Sequence, residues 1–132
     1  MTRARILVAE DHELMRVSVV NLLRREFEVI DAVSDGSALL EAAGRLDPDV
    51  CVLDISMPVL NGIETATRLK QCGCKAKIVF LTIHNDSDFV SAAFTSGAEG
   101  YVLKSHMSVD LLTAVREVLN GHLFRSSTNF SS

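Results

Sequence analysis

Four apolar runs in this chain lead directly into residues that can do chemistry. Ile6-Leu7-Val8-Ala9 runs into Glu10-Asp11, Val50-Cys51-Val52-Leu53 into Asp54, Ile78-Val79-Phe80-Leu81 into Thr82, and Tyr101-Val102-Leu103 into Lys104. Three carboxylates brought close together repel and raise one another's pKa values unless a cation neutralises them. Hard oxygen ligands with room for water suit Mg²⁺, which also takes phosphate oxygens readily. A carboxylate beside such an ion can attack a phosphoryl group in line, giving an aspartyl phosphate. The Thr82 hydroxyl can then bond one phosphoryl oxygen and the Lys104 ammonium another. Taken singly, each residue has a plainer explanation: Asp11 as a helix cap, Asp54 in a strand-end turn, Lys104 as a solvated charge. All five on one edge of a fold is much harder to meet by chance.

Whether they meet depends on the elements that carry them. Val50–Leu53 is continuously apolar and is followed by Pro58 and Asn61-Gly62, which suits a strand in the middle of a parallel sheet. Strands are also expected at 6–9, at about 29–33, at 77–81 and at 101–103. Helical patterns are expected from about His12 to Arg25, Ser37 to Leu46, Ile63 to Gln71, Ser87 to Ser96 and Ser108 to Asn120. Asp47-Pro48 stops the second helix, and Gly97 and Gly121 close the fourth and fifth. Five strands alternating with five helices predict right-handed crossovers and a doubly wound α/β fold: a five-stranded parallel sheet with helices on both faces. In the flavodoxin-like order 2-1-3-4-5, the first and third strands are neighbours at the switch point where ligands bind. That order collects Glu10, Asp11 and Asp54, with Thr82 and Lys104 beside them.

Composition narrows the reading. At 132 residues the chain makes one domain, able to bury roughly two-thirds of its unfolded surface. A net charge of -4 argues against nucleic-acid binding by this segment, although a separate domain could supply it. No apolar run approaches the roughly 18 residues of a membrane span, and no signal-peptide pattern precedes the first strand, so the expected location is cytoplasmic with no membrane partner. Cys51 reads as a small core residue, and Cys72 and Cys74 as free thiols without the partners a zinc site needs. The domain is expected to span 1–121. Residues 122–132, polar and serine-rich, read as a linker or disordered tail leading to a further domain.

The set Glu10-Asp11, Asp54-Ile55-Ser56-Met57-Pro58, Asn61-Gly62, Leu81-Thr82 and Gly100-Tyr101-Val102-Leu103-Lys104 resembles the receiver domain of two-component response regulators. Leu81-Thr82-Ile83-His84 and the segment from Gly97 to Lys104 look most like its NarL/FixJ-type (LuxR-like) subfamily. The resemblance implies Asp54 as the acceptor of a phosphoryl group from a histidine kinase. It implies Mg²⁺ held by Asp11, Asp54 and the Ser56 backbone carbonyl, with Glu10 assisting through water. It further implies Thr82 as a switch hydroxyl, Tyr101 as an aromatic that rotates inward, and Lys104 as the counter-charge of the phosphoryl group. A regulatory phosphoacceptor is implied rather than a classical enzyme. The output would be transcriptional, through a helix-turn-helix domain outside this chain, with homodimerisation on phosphorylation.

This sequence departs from the family pattern twice. The acid pair is Glu-Asp rather than Asp-Asp, and Ser105 follows the lysine where many members have a proline in a cis bond. A non-proline cis bond costs roughly 3 kcal/mol, so trans is expected here. Other functions fit less well. A haloacid-dehalogenase-like phosphatase needs a second aspartate where Ser56 stands. A nucleotide or flavin module needs a phosphate cradle where Glu10-Asp11 would repel. A degenerate receiver would not keep all five pocket residue types, and a stand-alone receiver acting through protein contacts is the main architectural alternative.

In the first helix, Met15, Val19, Leu22 and Leu23 form the stripe assigned to the sheet. Leu14, Val17 and Val20 fall on another face, expected to be a contact surface for the kinase or a second receiver. Phe89, Val90 and Phe94 of the fourth helix lie near Thr82 and Tyr101 in this topology.

Overall fold

The computed structural model describes residues 2–126. Strands β1 (Arg5–Ala9), β2 (Glu28–Val33), β3 (Val50–Leu53), β4 (Lys77–Thr82), β5 (Gly100–Leu103) and β6 (Phe124–Arg125) form one sheet in the order β2-β1-β3-β4-β5-β6. All pairings are parallel. The helices are α1 (Glu13–Leu23), α2 (Gly36–Leu46), α3 (Gly62–Gln71), α4 (Ser87–Thr95) and α5 (Met107–Leu119). Lys104–His106 makes one 3₁₀ turn between β5 and α5. The expected order of the first five strands is the observed one.

Successive side chains of a strand point to opposite faces, so the core divides by residue parity. Leu7, Ala9, Cys51, Leu53, Ile78, Phe80, Tyr101 and Leu103 pack against α2, α3 and α4 on one face. Ile6, Val8, Val50, Val52, Val79, Leu81 and Val102 pack against α1 and α5 on the other. Val50–Leu53 is buried along its whole length, as its unbroken apolar run requires. Three helices start at a side-chain cap: Asp35 accepts from Ala38 N, Asn61 from Glu64 N and Asp86 from Phe89 N. The fourth helix ends at Gly97, whose φ of 104° lets its own N–H reach Phe94 O while Ala98 N reaches Ala93 O.

The sheet has one strand more than the five expected. Residues from 122, expected to begin a linker, start as part of the fold: Phe124 N donates to Glu99 O at 3.0 Å and Ser126 N to Tyr101 O at 2.8 Å. Ser126 is itself buried, its hydroxyl donating to Asp110 Oδ2 and accepting from Leu103 N. A two-residue strand carries no periodicity, and a serine at its end gives composition nothing to distinguish it from a tail. Residues 127–132 of the expected tail lie outside the described residues. No described helix is long and apolar enough to cross a membrane.

Candidate functional site

The register fixes which strand ends coincide. Ala9 pairs with Leu53, Leu53 with Phe80, and Thr82 with Leu103. Glu10, Asp54, Thr82 and Lys104 therefore emerge along one edge of the sheet. Lys104 Nζ lies 2.8 Å from Glu10 Oε1 and 2.9 Å from Asp54 Oδ2. Both carboxylates are nearly closed to solvent, at 2% and 5% exposure. Burial alone would push the ammonium pKa down, but its hydrogen bonds to Glu10 and Asp54 and their charge hold it above the usual value of 10.5. The bond from Lys104 to Ser105 is trans, as expected.

Asp54 is placed by the turn that follows it. Its N–H donates to Ala9 O at 3.2 Å, and Gly62 N closes the turn on Ile55 O at 2.7 Å. A Cβ on Gly62 would sit 2.1 Å from the Asp54 carbonyl oxygen, so only glycine lets α3 begin this close to β3. Asp54 Oδ2 is held by Lys104, while Oδ1 accepts one long bond, 3.3 Å, from Ser56 N. Oδ1 is the freer oxygen.

Asp11 follows Glu10 at the rim. Its Oδ1 is buried with no hydrogen-bond partner. Glu10 Oε2 accepts from His12 N at 3.1 Å, and His12 Nδ1 stands 3.3 Å from both Glu10 Oε2 and Asp11 Oδ1. Ligand atoms of Glu10, Asp11 and His12 all fall within 4.8 Å of one another, and Asp54 is not in that group. Glu10 and Asp54 share the ammonium of Lys104, and Asp11 lies outside its contacts. The acidic excess and the orphaned oxygen of Asp11 fit a hard divalent cation.

Thr82 is fully buried, and its Oγ1 accepts from His84 N at 3.2 Å, leaving the hydroxyl proton free to donate. Tyr101 points inward at 1% exposure, its hydroxyl donating to His84 O at 2.6 Å. Burial, with the charges of Asp86 and Asp54, pushes its phenol pKa up to about 12. The Ser56 side chain turns outward to bond His84 Nε2 at 2.9 Å through its hydroxyl. The His84 ring in turn stacks on Phe89 of α4, with centroids 4.0 Å apart. His84 thus joins Ser56, Thr82, Tyr101 and α4.

The structure brings Glu10, Asp54 and Lys104 into direct contact, sets Asp11 beside them, and links Ser56, Thr82 and Tyr101 through His84. On α1, Leu14 and Val17 are exposed, whereas Val20 is half-buried and packs toward the second core face. Sequence reasoning overlooked His12, His84 and Arg16, whose Nη1 donates to Glu10 O at 2.9 Å. His84 carried a signal, two residues beyond Thr82 in a run already singled out. Its partner Ser56 is 28 residues away, a distance that spacing cannot bridge.

The chain is similar in sequence and in fold to known proteins. The chain is 34% identical over 125 residues to the nitrate/nitrite response regulator protein NarL of Escherichia coli K12, covering 93% of this chain and 58% of that protein. It is 36% identical over 121 residues to the transcriptional regulatory protein DegU of Brevibacillus brevis, covering 90% of this chain and 51% of that one. The chain thus spans little more than half the length of these relatives. Among solved structures, the receiver domain of the putative response regulator NarL from Mycobacterium tuberculosis superposes with a TM-score of 0.88 at 28% identity, covering 92% of this chain and all of that one. A LuxR-family two-component response regulator from Aurantimonas superposes with a TM-score of 0.89 at 30% identity, covering 93% and 89% of the two chains. The model of the response regulator receiver domain matches residues 6–116, nearly the whole described fold, and the chain belongs to that family, with NarL- and LuxR-type homologues.

Proposed function

We propose that this receiver is a phosphoacceptor switch in which Asp54 takes a phosphoryl group from the phosphohistidine of a histidine kinase. The single observation that carries the reading is Lys104 bridging buried Glu10 and Asp54 while a buried oxygen of Asp11 accepts no hydrogen bond. The groups proposed to hold a divalent cation, Mg²⁺ in the family, are Asp11, Asp54 and the Ser56 carbonyl, with Glu10 assisting through water. A bound cation of this kind offsets charge on the transferred oxygens.

The remaining work falls to the chain itself. Asp54 Oδ1, the less engaged oxygen, attacks phosphorus. The P–N bond to the kinase histidine breaks, its electron pair stays on the imidazole, and the product is an acyl phosphate on Asp54. Lys104 then gains a phosphoryl oxygen as partner, at the expense of its bond to Asp54 Oδ2. Thr82 donates its free hydroxyl proton to another. Because Thr82 and Tyr101 meet at His84, a shift in one is felt by the other and by α4.

The relatives named as transcriptional regulators support a DNA-binding, transcription-regulating output in a domain beyond these residues, and a cytoplasmic location goes with that proposed role. The exposed Leu14 and Val17, with half-buried Val20 at the edge, are proposed as the contact surface for the kinase or for a second receiver on phosphorylation.

The test is direct. Incubation with a small-molecule phosphodonor and Mg²⁺ is expected to add one acid-stable, base-labile phosphate to the parent and none to Asp54→Asn. Label that persists in Asp54→Asn removes the assignment.

A further inference from the structure

Lys104 sits on a turn with little of its own to hold it. Neither the 3₁₀ turn Lys104–His106 nor α5 begins at a side-chain cap. The turn is tied down instead from the far end of the described chain. Ser126, at 1% exposure, donates its N–H to Tyr101 O at 2.8 Å. In a parallel ladder the next bond would run from Leu103 N to a backbone carbonyl of the added strand. Leu103 N goes to the Ser126 hydroxyl at 3.1 Å instead, and that hydroxyl donates to Asp110 Oδ2 at 2.8 Å. Leu103 immediately precedes Lys104, and Asp110 lies in the first turn of α5. One buried hydroxyl therefore fastens both flanks of the turn that carries the ammonium. His106 Nδ1, on the turn itself, stands 3.7 Å from the same Asp110 oxygen.

We propose that Ser126 is a positioning residue for Lys104, fixing the turn so that Nζ rests between Glu10 and Asp54, where an incoming phosphoryl oxygen meets it. This rests on the phosphoacceptor reading above. A lysine ammonium rides on a flexible four-carbon stem, so it reaches a defined point only from a fixed backbone. Without the hydroxyl, Leu103 N and Asp110 Oδ2 lose a partner in a place largely shielded from water. The turn then samples several positions, and Nζ meets the phosphoryl oxygen in only a fraction of them. Ser126 itself touches no reacting atom.

The experiment uses the whole chain. Labelling of Asp54 by a small-molecule phosphodonor with Mg²⁺ is timed in the parent, Ser126→Ala, Asp110→Asn and Ile6→Val. Asp110→Asn keeps an acceptor oxygen for the hydroxyl. Ile6→Val trims the buried core near the opposite edge of the sheet and controls for lost stability alone. Ser126→Ala is expected to label about tenfold more slowly, with Asp110→Asn and Ile6→Val close to the parent. Amide hydrogen exchange at Ser105 and His106 is expected to be faster in Ser126→Ala than in Ile6→Val. Labelling of Ser126→Ala at the parent rate, or slowing matched by Ile6→Val, overturns the role of Ser126 and leaves the phosphoacceptor reading standing. A parent that takes no label overturns both.

Discussion

The Tyr101 hydroxyl donates to the His84 carbonyl across 2.6 Å, holding the aromatic ring of β5 inside the molecule. The same His84 residue donates its N–H to Thr82 and bonds Ser56 through its ring. The loop after β4 is therefore the meeting point of the acceptor turn, the buried hydroxyl and the inward aromatic.

Tyr101 is the only tyrosine of the chain, and there is no tryptophan, so its ionisation can be followed optically without interference. The phenol is expected to titrate near 12 in the folded protein, against its ordinary 10.0 in denaturant. The Cys51 thiol is likewise pushed up, by burial, from 9.0 to about 12, and Lys104 is held above 10.5. All three groups keep their protons more tightly when folded. Stability from them is thus complete below about pH 9 and lost as pH rises through the folded values, near 12 for Cys51 and Tyr101 and above 10.5 for Lys104. Urea midpoints measured across that range should fall with pH, and less steeply in Tyr101→Phe.

Lys104 is the one cation between Glu10 and Asp54, so Lys104→Ala leaves two buried carboxylates facing each other. We expect a loss of about 3 kcal/mol in urea unfolding without divalent ions. Added Mg²⁺ should restore part of the loss, because a cation replaces the missing charge. Unchanged stability without Mg²⁺ would contradict the bridge.

Val59 lies in a tight turn, closed by Leu60 N on Pro58 O at 2.7 Å, with φ at 70°. A β-branched residue pays for this conformation, and its side chain is exposed with little packing to lose. Val59→Gly is expected to raise stability by about 1 kcal/mol, read as a higher thermal midpoint. A drop would show that the exposed valine makes contacts of its own.

Val17→Glu puts a charge into the exposed face of α1 beside Leu14. The variant should fold normally and accept phosphate from a small-molecule donor at the parent rate, but accept it more slowly from its kinase or fail to self-associate. Parent-like phosphorylation by the kinase together with parent-like self-association would remove this face as a contact surface.

Much of the fold was legible in the chain. Apolar runs of three to five residues, and helical patterns broken by Asp47-Pro48, Gly97 and Gly121, marked the first five strands and the five helices to within a residue or two. Glu10, Asp54, Thr82 and Lys104 stood out because each ends such a run, and a parallel sheet sets those ends side by side. β6 was not legible, since Phe124–Arg125 is too short to show a period and is held by backbone bonds to Glu99 and Tyr101. Val20, assigned to the outer face of α1 with Leu14 and Val17, is half-buried, because position around a helix does not say how far its neighbours reach.

By itself the sequence determined the α/β alternation, the edge on which the polar residues gather and the residue types found there, because periodicity, capping and strand-end position are local properties. Only the tertiary structure decided which of those groups touch. That Lys104 joins Glu10 to Asp54, that Asp11 keeps an oxygen unpartnered, and that His84 ties Ser56 to Thr82 and Tyr101 depend on loops from different strands. Those loops are brought within hydrogen-bond reach by sheet order and register, and no local pattern encodes that distance.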